Sequence, residues 1–232
     1  GLTDDGALEM MKRIYGNVLE VAARYDMIIN IAPHGYYTTK PEFMERMLGF
    51  FDTPHLRMNM DTGNTFIAGQ DPVAFLQRFK HKVSHVHVKD VSQSLAAAMR
   101  GELTGIAVSQ TAIGDGVNVD NIRKCFDILV DIGYKGVVSI ECEGQGGPMI
   151  EKSLAFVREI VDDANQACGK RPRSAMNTSS RWFIWGVSYS AKPAISIPCQ
   201  CMTTRFGRGK WPTGRASSFP ACQPTHRCAS RR

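Results

Sequence analysis

Residues 84–91 read SHVHVKDV. Val86 and Val88 share one parity, while His85, His87 and Lys89 share the other. Successive side chains of a strand point to opposite faces, so this stretch has one apolar face and one equipped with imidazoles and an ammonium. Such a face is either wet or turned toward a site, and the surrounding chain decides which.

The chain on either side alternates between helical and strand patterns. Thr3, followed by Asp4 and Asp5, reads as an N-cap with an acidic first turn. Leu8, Met11, Ile14, Val18 and Val21 then recur at helical spacing and predict a buried stripe as far as Arg24. MIINIA at 27–32 is a strand, and Thr39 with Glu42 resembles a capping box for a helix with Phe43, Met47 and Phe50 inward. LRMNMD at 56–61 is the next strand. Asp71-Pro72 opens a helix that turns Phe75, Leu76 and Phe79 inward, and the opening stretch is the third strand. After a longer connection over 91–118, with a small helical stretch around SLAAAMRGEL, a helix over about 119–132 stops at Gly133. GVVSIE at 136–141 is the fourth strand, and a last helix covers about 149–163.

This alternation predicts an α/β fold with parallel strands joined by right-handed crossovers. An opening helix and four βα units make half of a (β/α)8 TIM barrel. A doubly wound sheet has the same pattern but calls for a glycine-rich first turn, and no GxGxxG follows any strand here.

Composition divides the chain in two. Of its 232 residues 43% are hydrophobic, enough for a core, and no apolar run approaches the ~20 residues of a membrane span. Residues 1–164 hold all 22 acids against 16 Lys and Arg, a net of −6, whereas residues 165–232 hold 12 basic residues and no acid, a net of +12. All three tryptophans and most of the cysteines lie in the second piece. A basic, aromatic arm for nucleic acid and a zinc-binding piece using Cys222, His226 and Cys228 are two readings of it. The absence of any helical or strand period favours a third, a disordered tail of foreign or out-of-frame origin with no nucleic-acid role. The domains expected are thus a partial barrel at 1–164 and a disordered basic tail at 165–232. The chain opens with Gly1 rather than Met, so a missing start is expected as well.

The polar residues collect at the C-terminal ends of the predicted strands: Ala32-Pro33-His34, Asp61, His87 to Asp90, and Glu141. In a βα barrel that end is the active-site face. Asp61 and His87 are 26 residues apart, one βα repeat, so they should stand at equal heights on neighbouring strands. Asp, His and Glu at one mouth suit a hard or borderline divalent cation: Mn²⁺, Mg²⁺, Co²⁺ or Zn²⁺. Each also has a plain structural reading: Asp61 as a cap of DTGN, His87 as a satisfied core histidine, Glu141 as an ion-pair partner of Lys89. Lys89 and Asn64 should line the same mouth, Lys89 either neutralising substrate charge or pairing with Asp90 or Glu141. GQGGP at 144–148 reads as a plain βα loop.

MNMDTGNTFIAGQDP, VSHVHVKDV and the run from IGDGVNVD to SIECEG resemble the sugar isomerase/epimerase branch of the xylose-isomerase-like TIM barrels, over about residues 27–163. That group includes D-tagatose and D-psicose 3-epimerases, inosose isomerases and dehydratases, and hydroxypyruvate isomerases. The resemblance implies that the four strands are the second half of the barrel. It implies a metal, Mn²⁺ foremost, on Asp61, His87 and Glu141, with Glu143 as runner-up to Glu141. It also implies proton abstraction beside the carbonyl of a keto-sugar or keto-polyol, with Glu141, His34 and Lys89 as catalytic candidates and His34, Asn64 and Lys89 binding substrate. The sequence departs from the family at APHG, where Ala32 stands in place of a glutamate that is both ligand and second acid–base group. A methyl does neither, so weakened activity is expected. The functions implied are an isomerase or epimerase, a lyase on the same scaffold, or a non-catalytic remnant. Half a barrel leaves sheet edges and an apolar helix face uncovered, which favours self-association, a homo-oligomer among the outcomes, or poor solubility. The cysteines of the organised part show no pairing pattern, which fits a cytoplasmic home.

Overall fold

A computed structural model describes residues 1–101, 107–144, 146–169 and 183–189. Its elements run α1 (Asp4–Arg24), β1 (Ile29–Ile31), α2 (Pro41–Leu48), β2 (Leu56–Asp61), α3 (Thr62–Ile67), α4 (Pro72–Phe79), β3 (Val83–Val88), α5 (Gln93–Met99), α6 (Val119–Asp131), β4 (Val137–Glu143), α7 (Gly147–Gly169) and β5 (Phe183–Tyr189). The strands form one parallel sheet in the order β1-β2-β3-β4-β5, the topology of successive barrel strands. The α/β half-barrel expectation is met by four βα units within the first 160 residues.

Parity sorts the strand residues. Met58, Met60, Val86, Val88, Val138 and Ile140 are buried on the face toward the helices, with Phe75, Leu76, Ile122, Phe126 and Leu129 of α4 and α6 in the same core. The opposite face carries Asn59, Asp61, His85, His87, Ser139 and Glu141. The valines of SHVHVKDV therefore hold the strand to its helices, and its histidines are free for the inner face.

Several local expectations hold at the level of single hydrogen bonds. Thr3 caps α1 by accepting from the Gly6 N–H, and Asp71 caps α4 by accepting from the Val73 and Ala74 N–H groups. Gly133 ends α6 with φ +64°, a conformation that costs glycine little.

Others do not hold. The Thr39–Glu42 capping box is absent: Lys40 is the N-cap of α2 without a side-chain bond, Pro41 starts the helix, and the Thr39 hydroxyl donates to the Gly35 carbonyl. The buried stripe of α1 runs instead through Leu8, Met11, Tyr15, Leu19 and Ala22. Ile14, Val18 and Val21 are exposed, at 55%, 41% and 50%. This helix has two apolar stripes, and periodicity alone does not say which one meets the sheet. The reading of Asp61 as a cap of DTGN does hold, with the short helix α3 directly after β2. Regular structure also continues past residue 164, since α7 runs to Gly169 and β5 pairs with β4, Val137 opposite Phe183 and Glu143 opposite Tyr189. The run FIWGVSY is β-branched and aromatic, and it extends an otherwise unpaired parallel edge. The remainder of the expected disordered tail, with Cys222, His226 and Cys228, lies outside the described residues. Among the described residues no helix is long and apolar enough to cross a membrane.

Candidate active site

Asp61 is both the last residue of β2 and the N-cap of α3. Its Oδ1 accepts the Asn64 N–H at 2.8 Å, and its carbonyl accepts the Thr65 hydroxyl at 2.6 Å. The cap consumes one carboxylate oxygen only. The other, Oδ2, stands 3.9 Å from His87 Nδ1. Cap and site residue are therefore two ends of one side chain.

His87 pairs directly with Asp61 across the β2–β3 ladder, as the one-repeat spacing predicts. Ser139 lies opposite His87 on β4, so Glu141 sits one residue pair further toward the strand end on the same face. There His87 Nδ1 and Glu141 Oε2 are 2.8 Å apart. Ligand-type atoms of Asp61, His87 and Glu141 all lie within 4.8 Å of one another. The other histidine of HVH drops one layer lower, where His85 Nε2 meets Ser139 Oγ at 2.7 Å.

Lys89 is the cation of the site, with a side chain only 3% exposed. Its Nζ donates to Glu141 Oε1 at 3.2 Å and to Glu143 Oε1 at 3.0 Å. The two glutamates that parity left equivalent are thus distinguished. Glu141 joins Asp61 and His87, while Glu143 faces Lys89 and accepts the Ser109 N–H. The lysine stem runs close over Gly63, where an added Cβ would stand 2.5–2.8 Å from Lys89 Cγ, Cβ and Cδ.

Asp90, expected only as a partner for Lys89, does something else. Its buried carboxylate accepts the N–H groups of Val91, Gly114, Gly116 and Asn118. The Asn118 side chain donates to the Thr62 carbonyl, and the Thr62 hydroxyl bonds the Lys89 backbone. The loop before α6 is therefore tied to the ends of β2 and β3. The turn sequence IGDG was the only sign of this in the chain.

Asn64 is buried with its Oδ1 unpartnered among the described residues, and Asn59, beside His85 on the inner face, is in the same state. His34 is not brought to the cluster. It is exposed after β1, and its bond is from the backbone N–H to Thr38 Oγ1. Ala32 follows β1 on the parity of Asn30, with no polar group to offer.

Electrostatics follow from burial and pairing. Burial, then the charge of Glu141, pushes Asp61 up to about 7. Burial works to raise Glu141 too, but the bond from His87 and the Lys89 ammonium hold it well below the usual carboxylate range. His87 is raised: burial opposes its charge, and Glu141 and Asp61 outweigh burial. His85, half-buried and beside His87, falls to about 4 and stays neutral. Two carboxylates and one imidazole on adjacent strands form a set of hard and borderline donors that fits a divalent cation.

Residues 1–160 match the family described as Xylose isomerase-like TIM barrel, and the chain belongs to that family. Among curated relatives, an inosose dehydratase of Clostridium botulinum (strain Alaska E43 / Type E3) is 31% identical over 127 residues, 53% of this chain and 41% of the relative. An inosose dehydratase of Bacillus cereus (strain AH820) is 29% identical over 105 residues, 43% of this chain and 35% of the relative. The chain thus spans less than half the length of these relatives. A crystal structure of a D-tagatose 3-epimerase-like protein superposes with a TM-score of 0.55 at 20% identity, covering 69% of this chain and 56% of its own, a likeness of fold. A xylose isomerase domain protein from Planctomyces limnophilus gives the same TM-score and identity over 73% and 57%.

Proposed function

We propose that Asp61, His87 and Glu141 hold a divalent cation, Mn²⁺ foremost, and that the site removes a proton beside the carbonyl of a keto-polyol. The convergence of the three side chains within 4.8 Å carries this reading. A cation held there would supply Lewis-acid polarisation of an α-hydroxyketone, which makes the hydrogen on the carbon beside the carbonyl more acidic. Glu141 is the carboxylate placed to receive that proton. Lys89, buried and bonded to Glu141 and Glu143, holds Glu141 in place instead of reaching substrate. Asn64, buried beside Asp61 with a free carbonyl oxygen, accepts a substrate hydroxyl.

Loss of water is the favoured outcome of the proton abstraction. Epimerisation needs a second acid on the far face of the reacting carbon, and Ala32 supplies none. Elimination proceeds from one face: the α-proton passes to Glu141, Glu141 returns it to the hydroxyl on the adjacent carbon, the C–O bond breaks so that water leaves, and a C=C bond forms. The relatives named inosose dehydratase support this branch, and the family supports isomerisation of a keto-sugar as the second reading.

The test is to give the chain Mn²⁺ and an inosose in ²H₂O. A rise in ultraviolet absorbance from a conjugated enone supports dehydration. Deuterium at the α-carbon without that absorbance supports epimerisation or isomerisation instead. Bound Mn²⁺ with neither signal would mark a non-catalytic remnant.

A further inference from the structure

Glu143 is the acid of the mouth that the proposed chemistry does not use. Its carboxylate meets Lys89 Nζ at 3.0 Å and the Ser109 N–H, while its own backbone N–H donates to the Ser109 carbonyl at 3.1 Å. Lys89 reaches Glu141 Oε1 at 3.2 Å from the other side. Glu141 is thereby divided: Oε1 faces the ammonium and Oε2 faces His87.

The charges around Lys89 make this arrangement consequential. Lys89 is buried, and an ammonium at that depth opposes any cation brought to Glu141. With Asp61, Glu141 and Glu143 ionised, His87 neutral and Lys89 charged, the net charge of this group of five is −2, the Asp90 carboxylate being taken up by four backbone N–H groups. That balances a divalent ion. Without Glu143 it is −1, and Lys89 has Glu141 as its sole acidic partner.

We propose that Glu143 is a positioning residue for cation binding: it takes up the charge of Lys89 and anchors the ammonium on Glu141 Oε1, leaving Oε2 for the ion. This rests on the assignment of Asp61, His87 and Glu141 as ligands. Glu143 itself makes no contact with the ion.

The experiment measures Mn²⁺ affinity of the chain by calorimetry, with EDTA-treated protein and circular dichroism to compare the folds. In Glu143→Gln the amide can still accept from Ser109, but the counter-charge is gone, and binding should weaken roughly tenfold or more. Lys89→Met keeps the apolar stem over Gly63 and removes the opposing charge, so binding should tighten. The double variant returns the mouth to −2 and should recover most of the affinity lost in Glu143→Gln. A merely structural glutamate gives no such recovery. Wild-type affinity in Glu143→Gln, or a double variant weaker than the single, overturns the proposal while leaving the ligand assignment intact. Should Glu143→Gln not fold, Lys89→Met decides: unchanged or weaker binding overturns the charge argument. Wild-type protein that takes up no Mn²⁺ removes the ligand assignment and the role of Glu143 together.

Discussion

His87 Nδ1 lies 2.8 Å from Glu141 Oε2, and this one hydrogen bond occupies the atoms through which both side chains would grip a cation. Ion and proton therefore compete for the same space. His87 is raised by its acidic neighbours, and Asp61 is raised to about 7 by burial and Glu141. Metal ligands must be deprotonated. Mn²⁺ affinity is expected to rise with pH between 6 and 8, by roughly tenfold per unit for each proton displaced. Calorimetry in buffers of different ionisation enthalpy should show the released proton, and a pH-independent affinity counts against these ligands.

Asp61 separates two roles within one side chain. Asn caps a helix about as well as Asp, so Asp61→Asn keeps α3 and loses the ligand charge. The raised Asp61 favours the folded state when protonated: that stability is whole below the unfolded value and is lost as pH rises through about 7, above which the cost is complete. Metal-free Asp61→Asn should thus be at least as stable as wild type at pH 8 while binding no Mn²⁺. Asp61→Ala also loses the cap and should fall about 1 kcal/mol lower in urea unfolding than the Asn variant.

The sign is opposite for His85 and Glu141. His85 is lowered to about 4, so its contribution is whole above 6.5 and is lost as pH falls toward 4. Glu141 is lowered, and its contribution is lost as pH falls below 4.5. In the wild type Asp61 offsets this loss over the same range, so thermal melts of metal-free Asp61→Asn should show stability falling from pH 6.5 downward, and adding His85→Gln should flatten the upper part of that fall.

Gly63 is where the lysine stem passes. A Cβ there would meet Lys89 Cβ and Cγ at 2.6 and 2.5 Å, atoms anchored close to the backbone. Gly63→Ala is expected to destabilise by about 1–3 kcal/mol in urea unfolding.

Ala32 follows β1 on the parity of Asn30, where the resemblance to the family implies a glutamate. Ala32→Glu should raise Mn²⁺ affinity by about tenfold or more through an added anionic ligand. An unchanged affinity would place the end of β1 outside the metal site.

The sheet and most of the cluster were legible because two periodicities coincide. Alternation within SHVHVKDV separates core from site, and the one-repeat spacing sets Asp61 level with His87. What remained hidden depends on contacts distant in sequence. Glu141 and Glu143 share a parity and differ only in what lies opposite, His87 or Ser109. The stripes of α1 are equally apolar, so only packing against the sheet distinguishes Leu19 from Val18. Asp90 reads as a charge beside a lysine until the loop folds back upon it. His34 has a sequence neighbourhood like that of a site residue, yet it is exposed and lies outside the group of Asp61, His87 and Glu141.

The carboxylate of Asp90 gathers amides from four residues spread over 91–118, a stretch whose last part is neither helix nor strand. Those amides are shielded by one side chain, not by a ladder. They should therefore trade hydrogen for deuterium together, at a rate set by release of that single acid. The rim of the mouth thus has the persistence of a secondary-structure element without being one, and its opening rate is a property of one residue.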